Sequence, residues 1–295
     1  MTAPESTQEL AVRKVAVLTH RDPNVTREVM QVLVAAAERH EVEVWLDADE
    51  SRKHDLDAAP VKRLESDERD GAVPDLCIVL GGDGTTLRAL RAHAGSGVPV
   101  FSVNCGRVGF LATVDRSAAR EGFERALTGS FEVFRLPALL LGTGSDQEFA
   151  INEVSFQRDA HMNTAYLSFS LAGEEVARAP CDGLIASTPA GSTAYNLSAG
   201  GPILAWDLRG YVVNMVAPHA LSVRAVVAAP EDVLRVVNEG AEVVEVVIDG
   251  MPAGKLEPAA AREVRFYPDA VGLAQLPGST FYGRFREKLR LLTGG

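Results

Sequence analysis

Three stretches of the chain combine residue types that could do chemistry. Gly81-Gly82-Asp83-Gly84-Thr85 follows the apolar run Asp75–Leu80. Glycines at the carboxyl end of a strand let the backbone turn sharply, point N–H groups outward and come close to a phosphate, and a helix starting there adds a favourable dipole. A carboxylate beside phosphates is repulsive unless it binds a metal or takes a proton from an attacking hydroxyl, so Asp83 is the informative residue. A plain Asp-Gly turn is the alternative. Asn152-Glu153, after the apolar run ending at Ile151, sets an amide beside a carboxylate at a strand end. That pair could grip the adjacent hydroxyls of a ribose, since Glu accepts two hydrogen bonds and Asn both donates and accepts; a surface turn would use the same residues. The longest stretch, Asp182–Pro202, contains a carboxylate, a Pro189-Ala190-Gly191 turn, several hydroxyls, the ring of Tyr195 and a Gly200-Gly201 close. It suits a groove that hydrogen-bonds and stacks a flat polar heterocycle. Leu184, Ile185, Leu197 and Ile203 give it apolar anchors that a flexible linker lacks.

Elements of two textures must position these residues. Apolar runs at Lys14–Thr19, Glu41–Leu46, Asp75–Leu80 and Val98–Val103 read as strands, and Asn24–His40, a segment capped by Thr85 through His93, and Ser117–Leu127 as helices. The alternation predicts a parallel α/β sheet. Asp49–Pro74 is densely charged and reads as a solvated helix or mobile loop. After residue 125 short β-prone runs follow one another, among them Phe131–Leu141, Thr164–Leu171, Tyr211–Val216, Ala225–Val227 and Val243–Ile248. The expected architecture is α/β plus all-β: a Rossmann-like domain over residues 1–125 and a β-sandwich domain over 126–295. Phe285, Leu289 and Leu292 fall at helical spacing within Tyr282–Leu292, which is expected to pack back on the first domain.

Composition narrows the function classes. The 295 residues carry 29 Lys+Arg against 40 Asp+Glu, a net charge of −11, which argues against a nucleic-acid partner because phosphate neutralisation needs clustered cations. Gly183–Trp206 is free of charges but rich in Gly, Ser, Thr and Pro, so it is a poor membrane span, and no membrane partner is expected. Cys77, Cys105 and Cys181 lie far apart without C-x-x-C spacing, which points away from disulfides and zinc and toward inert thiols in a reducing cytosol. The amino terminus lacks a basic region followed by an apolar stretch, so the localisation expected is cytoplasmic. There is no G-x-x-x-x-G-K-[ST] loop, and Gly142-x-Gly144 lacks the third glycine of a dinucleotide fingerprint.

Taken in this order and spacing, and together with Asn104–Leu111, Pro218-His219 and Asp249-Gly250, these motifs resemble the NAD kinases, which phosphorylate the adenosine ribose of NAD; the resemblance spans residues 14 to 292. It implies that Asp83 accepts the proton of the ribose 2′-hydroxyl beside a divalent cation, Mg2+, on the donor triphosphate, with Gly84 and Arg88 lining the same pocket. It also implies that Asn152 and Glu153 bind ribose and phosphate, and that Asp182 binds the dinucleotide. Ala190 with Thr193, Ala194, Tyr195, Asn196, Leu197 and Ser198 would form the adenine pocket. NAD and ATP or polyphosphate are the implied substrates, and a homodimer or homotetramer the implied assembly. Ala190 stands where the family most often has threonine, and Met251 where a polar residue is frequent, which leaves the dinucleotide preference open. A lipid or sugar kinase of the same superfold and a noncatalytic NAD(P) sensor are the alternative readings.

Overall fold

The computed structural model describes residues 11–54, 61–64, 73–106, 109–142, 146–159, 163–220 and 222–286. It divides into two units, Met1–Arg135 with Val271–Gly295, and Leu136–Ala270. Residue 125, near which the sequence texture changes, lies within the helix Ala119–Leu127, and the first unit continues to Arg135 and includes the carboxyl-terminal segment.

The first unit opens with β1 (Lys14–Thr19), α1 (Arg27–Arg39), β2 (Glu43–Asp47), α2 (Ala48–His54) and β3 (Val61–Leu64). It continues through β4 (Leu76–Gly81), α3 (Asp83–Ala92), β5 (Pro99–Asn104), β6 (Val114–Asp115) and α4 (Ala119–Leu127). Every residue of β4 and β5 is buried, as expected of parallel strands covered on both faces. α1 places Val29, Met30, Leu33, Ala36 and Ala37 on one buried face, and these join Val15, Ile78, Leu80, Phe101 and Phe123 in a single core. All pairings in the order β5-β4-β1-β2-β3 are parallel. From β1 the chain steps through β2 to β3, then returns to lay β4 on the other side of β1. The strand order therefore reverses between β1 and β4, and the crevice outside their carboxyl ends, Thr19 and Gly81, is where an open α/β sheet binds ligands.

Three details differ from the sequence expectation. The first helix starts later than residue 24, because Pro23–Val25 form a 3-10 turn whose Asn24 N–H is taken by the Asp22 carboxylate at 3.0 Å. The third helix begins at Asp83 with extended Gly82 in the capping position, so Thr85 sits inside the first turn, its N–H donating to the Gly82 carbonyl at 3.0 Å. The segment 49–74 is not a uniformly solvated element: Glu50 and Ser51 of α2 are buried, and β3 pairs with β2. Residues 55–60 and 65–72 of that segment lie outside the described residues, as do residues 287–292 of the expected terminal helix, whose residues 281–286 are helical.

The second unit follows β7 (Glu132–Leu141) with β8 (Glu148–Ala150), β9 (Glu153–Arg158), β10 (Ala165–Leu171), β11 (Glu174–Cys181), β12 (Gly183–Ser187) and the short α5 (Tyr195–Ser198). β13 (Tyr211–Val216), β14 (Val226–Ala228), β15 (Leu234–Asn238), β16 (Val244–Ile248), β17 (Met251–Leu256) and the long β18 (Ala261–Gln275) complete it. One antiparallel sheet runs β14-β13-β12-β9-β16-β17, and a second carries β11-β10-β15 and the first half of β18. Apolar residues of both sheets, among them Val154, Phe156, Leu184 and Val246 from one and Leu167, Phe169, Val236 and Val264 from the other, form one core, as in a β-sandwich. The α/β plus all-β organisation is thus present. β18 ends in the first unit, where Gly272 and Leu273 pair in parallel with β5.

Candidate functional site

In the first unit the turn after β4 delivers Asp83 to the start of α3. Its carboxylate is held by two backbone donors, the N–H of Phe110 at 2.8 Å and of Leu111 at 3.1 Å. The approach is close enough that a Cβ on Gly109 would lie 2.0 Å from Asp83 Oδ1, so any larger residue there would displace the carboxylate. Each oxygen spends one lone pair on the backbone and keeps another for a hydroxyl. Gly84 is exposed on the same turn, and Arg88 Nη2 donates to the Thr19 carbonyl at 2.9 Å, across the carboxyl ends of β1 and β4.

The loop that grips Asp83 is itself braced by a residue that the sequence did not single out. Arg284 donates to the carbonyls of Phe110, at 3.1 Å, and Ala112, and also to Gln275 and to Ser279 Oγ at 2.9 Å. Nothing in the spacing of the basic residues near the carboxyl terminus distinguishes it. An Arg284→Gln substitution releases two carbonyls of this loop, and where Asp83 accepts the proton as the resemblance implies, misplacing it by about 1 Å costs on the order of 100-fold. The expected outcome in initial-rate kinetics is then a kcat about 10- to 100-fold lower with KM for the acceptor substrate little changed. An unchanged kcat would remove Arg284 from this role.

In the second unit, β9 lies between β12 and β16, with Glu153 opposite Ser187 and Val154 opposite Ile248. Asp249 and Gly250 form the two-residue turn between β16 and β17, both with positive φ (49° and 78°), the geometry favoured by Asp-Gly hairpins. From that turn the Asp249 carboxylate accepts the N–H groups of Ile151 at 3.0 Å, Asn152 at 2.8 Å and Glu153 at 3.1 Å. On the other side, Thr188 Oγ1 donates to the Ile151 carbonyl at 2.6 Å, and a Cβ on Gly191 would meet the Asn152 carbonyl at 2.1 Å. The Asn152-Glu153 backbone is therefore clamped from both sides. The Asp-Gly signal for a hairpin is legible in the sequence, but the reach of its carboxylate is not.

Glu153 is 7% exposed, and no donor among the described residues reaches its Oε2. Burial first, then the Asp249 charge, push its carboxyl up to about 7, against a backbone N–H from Tyr195 that favours the ionised form. This raised value has a sign for stability. The folded state binds the proton more tightly than the unfolded chain, so stability is greatest below about 4.5 and falls as pH rises to about 7. Glu153→Gln should flatten that decline, by a few kcal/mol between pH 4.5 and 8, in denaturant titrations at fixed ionic strength. A wild-type profile already flat over this range would contradict the buried, protonatable carboxyl.

Tyr195 is 36% exposed, and partial burial first, then the charges of Asp182 and Glu153, raise its phenol, so these three sequence-selected residues come together. Asp182 forms an ion pair with Arg158 Nε at 2.8 Å. Leu197 and Ser198 are exposed and Thr193 and Ala194 half-buried, while Ala190 is 5% exposed. Asn196 is fully buried; its Nδ2 donates to the carbonyls of Ser192 at 3.2 Å and Pro202 at 2.9 Å, which folds the 192–202 loop onto itself. Met251 is 53% exposed and follows the Asp249-Gly250 turn, and His219 is exposed with its N–H on the Pro180 carbonyl. Burial raises all three thiols, Cys77 and Cys181 to about 12, as inert cysteines require. Arg107 and Val108 of the Asn104–Leu111 motif lie outside the described residues. Among the described residues there is no group of three or more His, Cys, Asp or Glu side chains able to hold a metal ion, and no helix long and apolar enough to cross a membrane.

Family models described as the ATP-NAD kinase N-terminal and C-terminal domains match residues 4–131 and 151–271. A Rhodopirellula baltica NAD kinase is 35% identical over 221 residues, 73% of this chain and 71% of the relative. A Thermoanaerobacter NAD kinase is 28% identical over 284 residues, covering 94% of this chain and 99% of the relative. Among solved structures, yeast NADH kinase complexed with NADH superposes with a TM-score of 0.83 at 22% identity, covering 99% of this chain and 89% of that one. An Archaeoglobus fulgidus NAD kinase in complex with ATP superposes with a TM-score of 0.71 at 24% identity, covering 94% and 98%. At these identities the structural matches speak for the fold.

Proposed function

The chain belongs to the NAD kinase family, and from that premise we propose that it transfers a phosphoryl group from ATP to the 2′-hydroxyl of the adenosine ribose of NAD, giving NADP. The observation that carries the reading is the unspent oxygen of Glu153: a buried acceptor without a donor, next to Asn152 and the half-exposed ring of Tyr195. Such an oxygen is costly unless a ligand hydroxyl completes it. Asn152 and Glu153 hold the ribose hydroxyls, Tyr195 packs against the adenine, and Asp182, Ala190, Thr193, Ala194, Asn196, Leu197 and Ser198 shape its groove.

Asp83 orients the 2′-hydroxyl and takes its proton as the oxygen bonds to the terminal phosphorus; the bond from that phosphorus to the bridging oxygen breaks, and ADP leaves. Positioning and charge neutralisation supply most of the acceleration in such transfers. A divalent ion, Mg2+, would travel on the donor, held chiefly by phosphate oxygens, with Asp83 the protein carboxylate that would meet it. Its contribution when bound is neutralisation of phosphate charge. Polyphosphate is a second donor compatible with this arrangement. The reading extends to a cytoplasmic enzyme working as a homodimer or homotetramer.

The reaction is tested by supplying purified protein with ATP, Mg2+ and either NAD or its adenosine 2′-deoxy analogue, with products read by an NADP-specific dehydrogenase and by phosphorus NMR. NADP from NAD and no phosphorylated product from the analogue is the expected result. Phosphorylation of the analogue would place the transfer at another hydroxyl.

A further inference from the structure

In the second unit Asp182 is held by a cation that sequence reading did not single out. Arg158, the last residue of β9, donates from Nε to Asp182 Oδ1 at 2.8 Å. We infer that Arg158 is a positioning residue for substrate selection: it fixes the Asp182 carboxylate so that the other oxygen accepts an N–H from an NH2 group of the dinucleotide. The inference rests on the reaction proposed above and names the group of the acceptor substrate that this part of the groove reads.

The backbone of Asp182 is fixed from two sides. Its N–H donates to the Val216 carbonyl at 2.9 Å, and its carbonyl accepts the Arg158 N–H at 3.0 Å, which stitches it between β13 and β9. The next residue is Gly183, where a Cβ would meet the Phe156 carbonyl at 2.4 Å, so the chain passes β9 more closely than a side chain allows. What remains free is the pair of torsions that aim the carboxylate. A guanidinium is planar and permanently charged, and its Nε carries a single N–H in a fixed direction, so the 2.8 Å bond to Oδ1 settles those torsions as well.

Only one oxygen of Asp182 is engaged in this way. No hydrogen-bond donor among the described residues reaches Oδ2, and the side chain is 42% exposed, so that oxygen is open to a ligand. With Arg158 33% exposed, the pair is of the kind that adds little to stability; what it supplies is direction. A carboxylate whose partner orients it before the ligand arrives loses less entropy on binding.

Asp182 also lies close enough to Tyr195 that, after burial, its charge is the next cause raising the phenol. The open oxygen therefore stands near the ring against which a base is proposed to pack. An ionised carboxylate is acceptor-only: it takes an N–H from an NH2 group and repels a carbonyl oxygen put in its place. NAD offers two such groups, the amino group of adenine and the carboxamide of nicotinamide. A hypoxanthine base lacks the first and an acetylpyridine ring lacks the second, which lets the two be told apart without changing the charge of the ligand.

The test is calorimetric titration of NAD, nicotinamide hypoxanthine dinucleotide and acetylpyridine adenine dinucleotide into the full chain. Four proteins are compared: the parent, Arg158→Gln, Arg158→Lys, and Arg265→Gln, which removes an exposed guanidinium–carboxylate pair elsewhere in the unit. The parent is expected to bind one analogue about 10- to 100-fold more weakly than NAD, the range of a hydrogen bond to a charged group, and the analogue penalised identifies the NH2 group that Asp182 reads. In Arg158→Gln the penalty falls below about threefold because NAD itself loses affinity, Arg158→Lys restores part of it, and Arg265→Gln matches the parent. In initial rates the loss in Arg158→Gln falls on KM for NAD while kcat stays within about twofold, a split that a merely structural role would not produce. Equal binding of all three dinucleotides by the parent, a penalty that survives Arg158→Gln, or a loss that Arg158→Lys does not relieve would overturn the inference. A parent that shows the Arg158-dependent penalty but makes no NADP would refute the proposed reaction and leave the role of Arg158 in binding standing.

Discussion

Asp83→Asn lowers kcat for NADP formation by about 10²- to 10⁴-fold, the range in which a positioned proton acceptor contributes, while the Kd for NAD stays within about threefold. The substitution keeps the volume of the side chain and removes its capacity to take a proton. It also turns an amide toward one of the two N–H groups that hold the carboxylate, those of Phe110 and Leu111, so some displacement of that loop is built into the change. Gly109→Ala separates the two effects, because its methyl group would lie 2.0 Å from Oδ1 and move a carboxylate that is still present. Its expected kcat lies between the parent and Asp83→Asn, with a pH profile shaped like the parent's. Initial rates with calorimetric NAD titrations measure all three proteins; comparable kcat values for parent and Asp83→Asn would end the proton-acceptor assignment.

Asp249→Ala carries the second large effect. Removing this carboxylate strips the acceptor from three consecutive N–H groups at residues 151–153 and leaves alanine at a φ of 49°, a region that L-residues other than Asn and Asp enter at a cost of about 1–2 kcal/mol. The expected loss of stability is about 2–5 kcal/mol, read in denaturant titrations, with NAD binding weakened at least tenfold as Asn152 and Glu153 lose their common brace. Asp249→Asn is the gentler variant: it tolerates the turn and keeps one acceptor. It also removes the negative charge that helps raise the Glu153 carboxyl, so the pH below which NAD binding weakens should move downward from about 7. An Asp249→Asn protein whose NAD affinity and pH midpoint match the parent would show that the clamp has no part in the site.

The motif residues were legible because their chemistry is carried by residue type and order: Gly-rich turn with carboxylate, amide beside carboxylate, hydroxyl-rich run with one aromatic ring. The parallel strands around them were legible through continuous apolar runs such as Leu76–Leu80, which can only be buried on both faces. What escaped is positional. Glu50 sits in a segment whose composition signals solvent, yet one turn of α2 carries it inside to meet Thr19, a partner 31 positions away. Arg284 is one cation among several and acts only because residues after Val271 return to the first unit. Asn196 shows the reverse: its type suits ligand binding, but both hydrogen bonds of its Nδ2 close its own loop. In each case a long-range contact, invisible to local periodicity, decides what the side chain does.

The most direct measurement is NADP formation from NAD by the purified protein, with ATP and then polyphosphate as donor, in the presence and absence of Mg2+. Metal-dependent NADP production, lost in Asp83→Asn, is the expected result. No NADP with either donor, in a protein that still binds NAD, would contradict the assignment and turn the Glu153–Tyr195 groove into the site of a sensor or of a different acceptor.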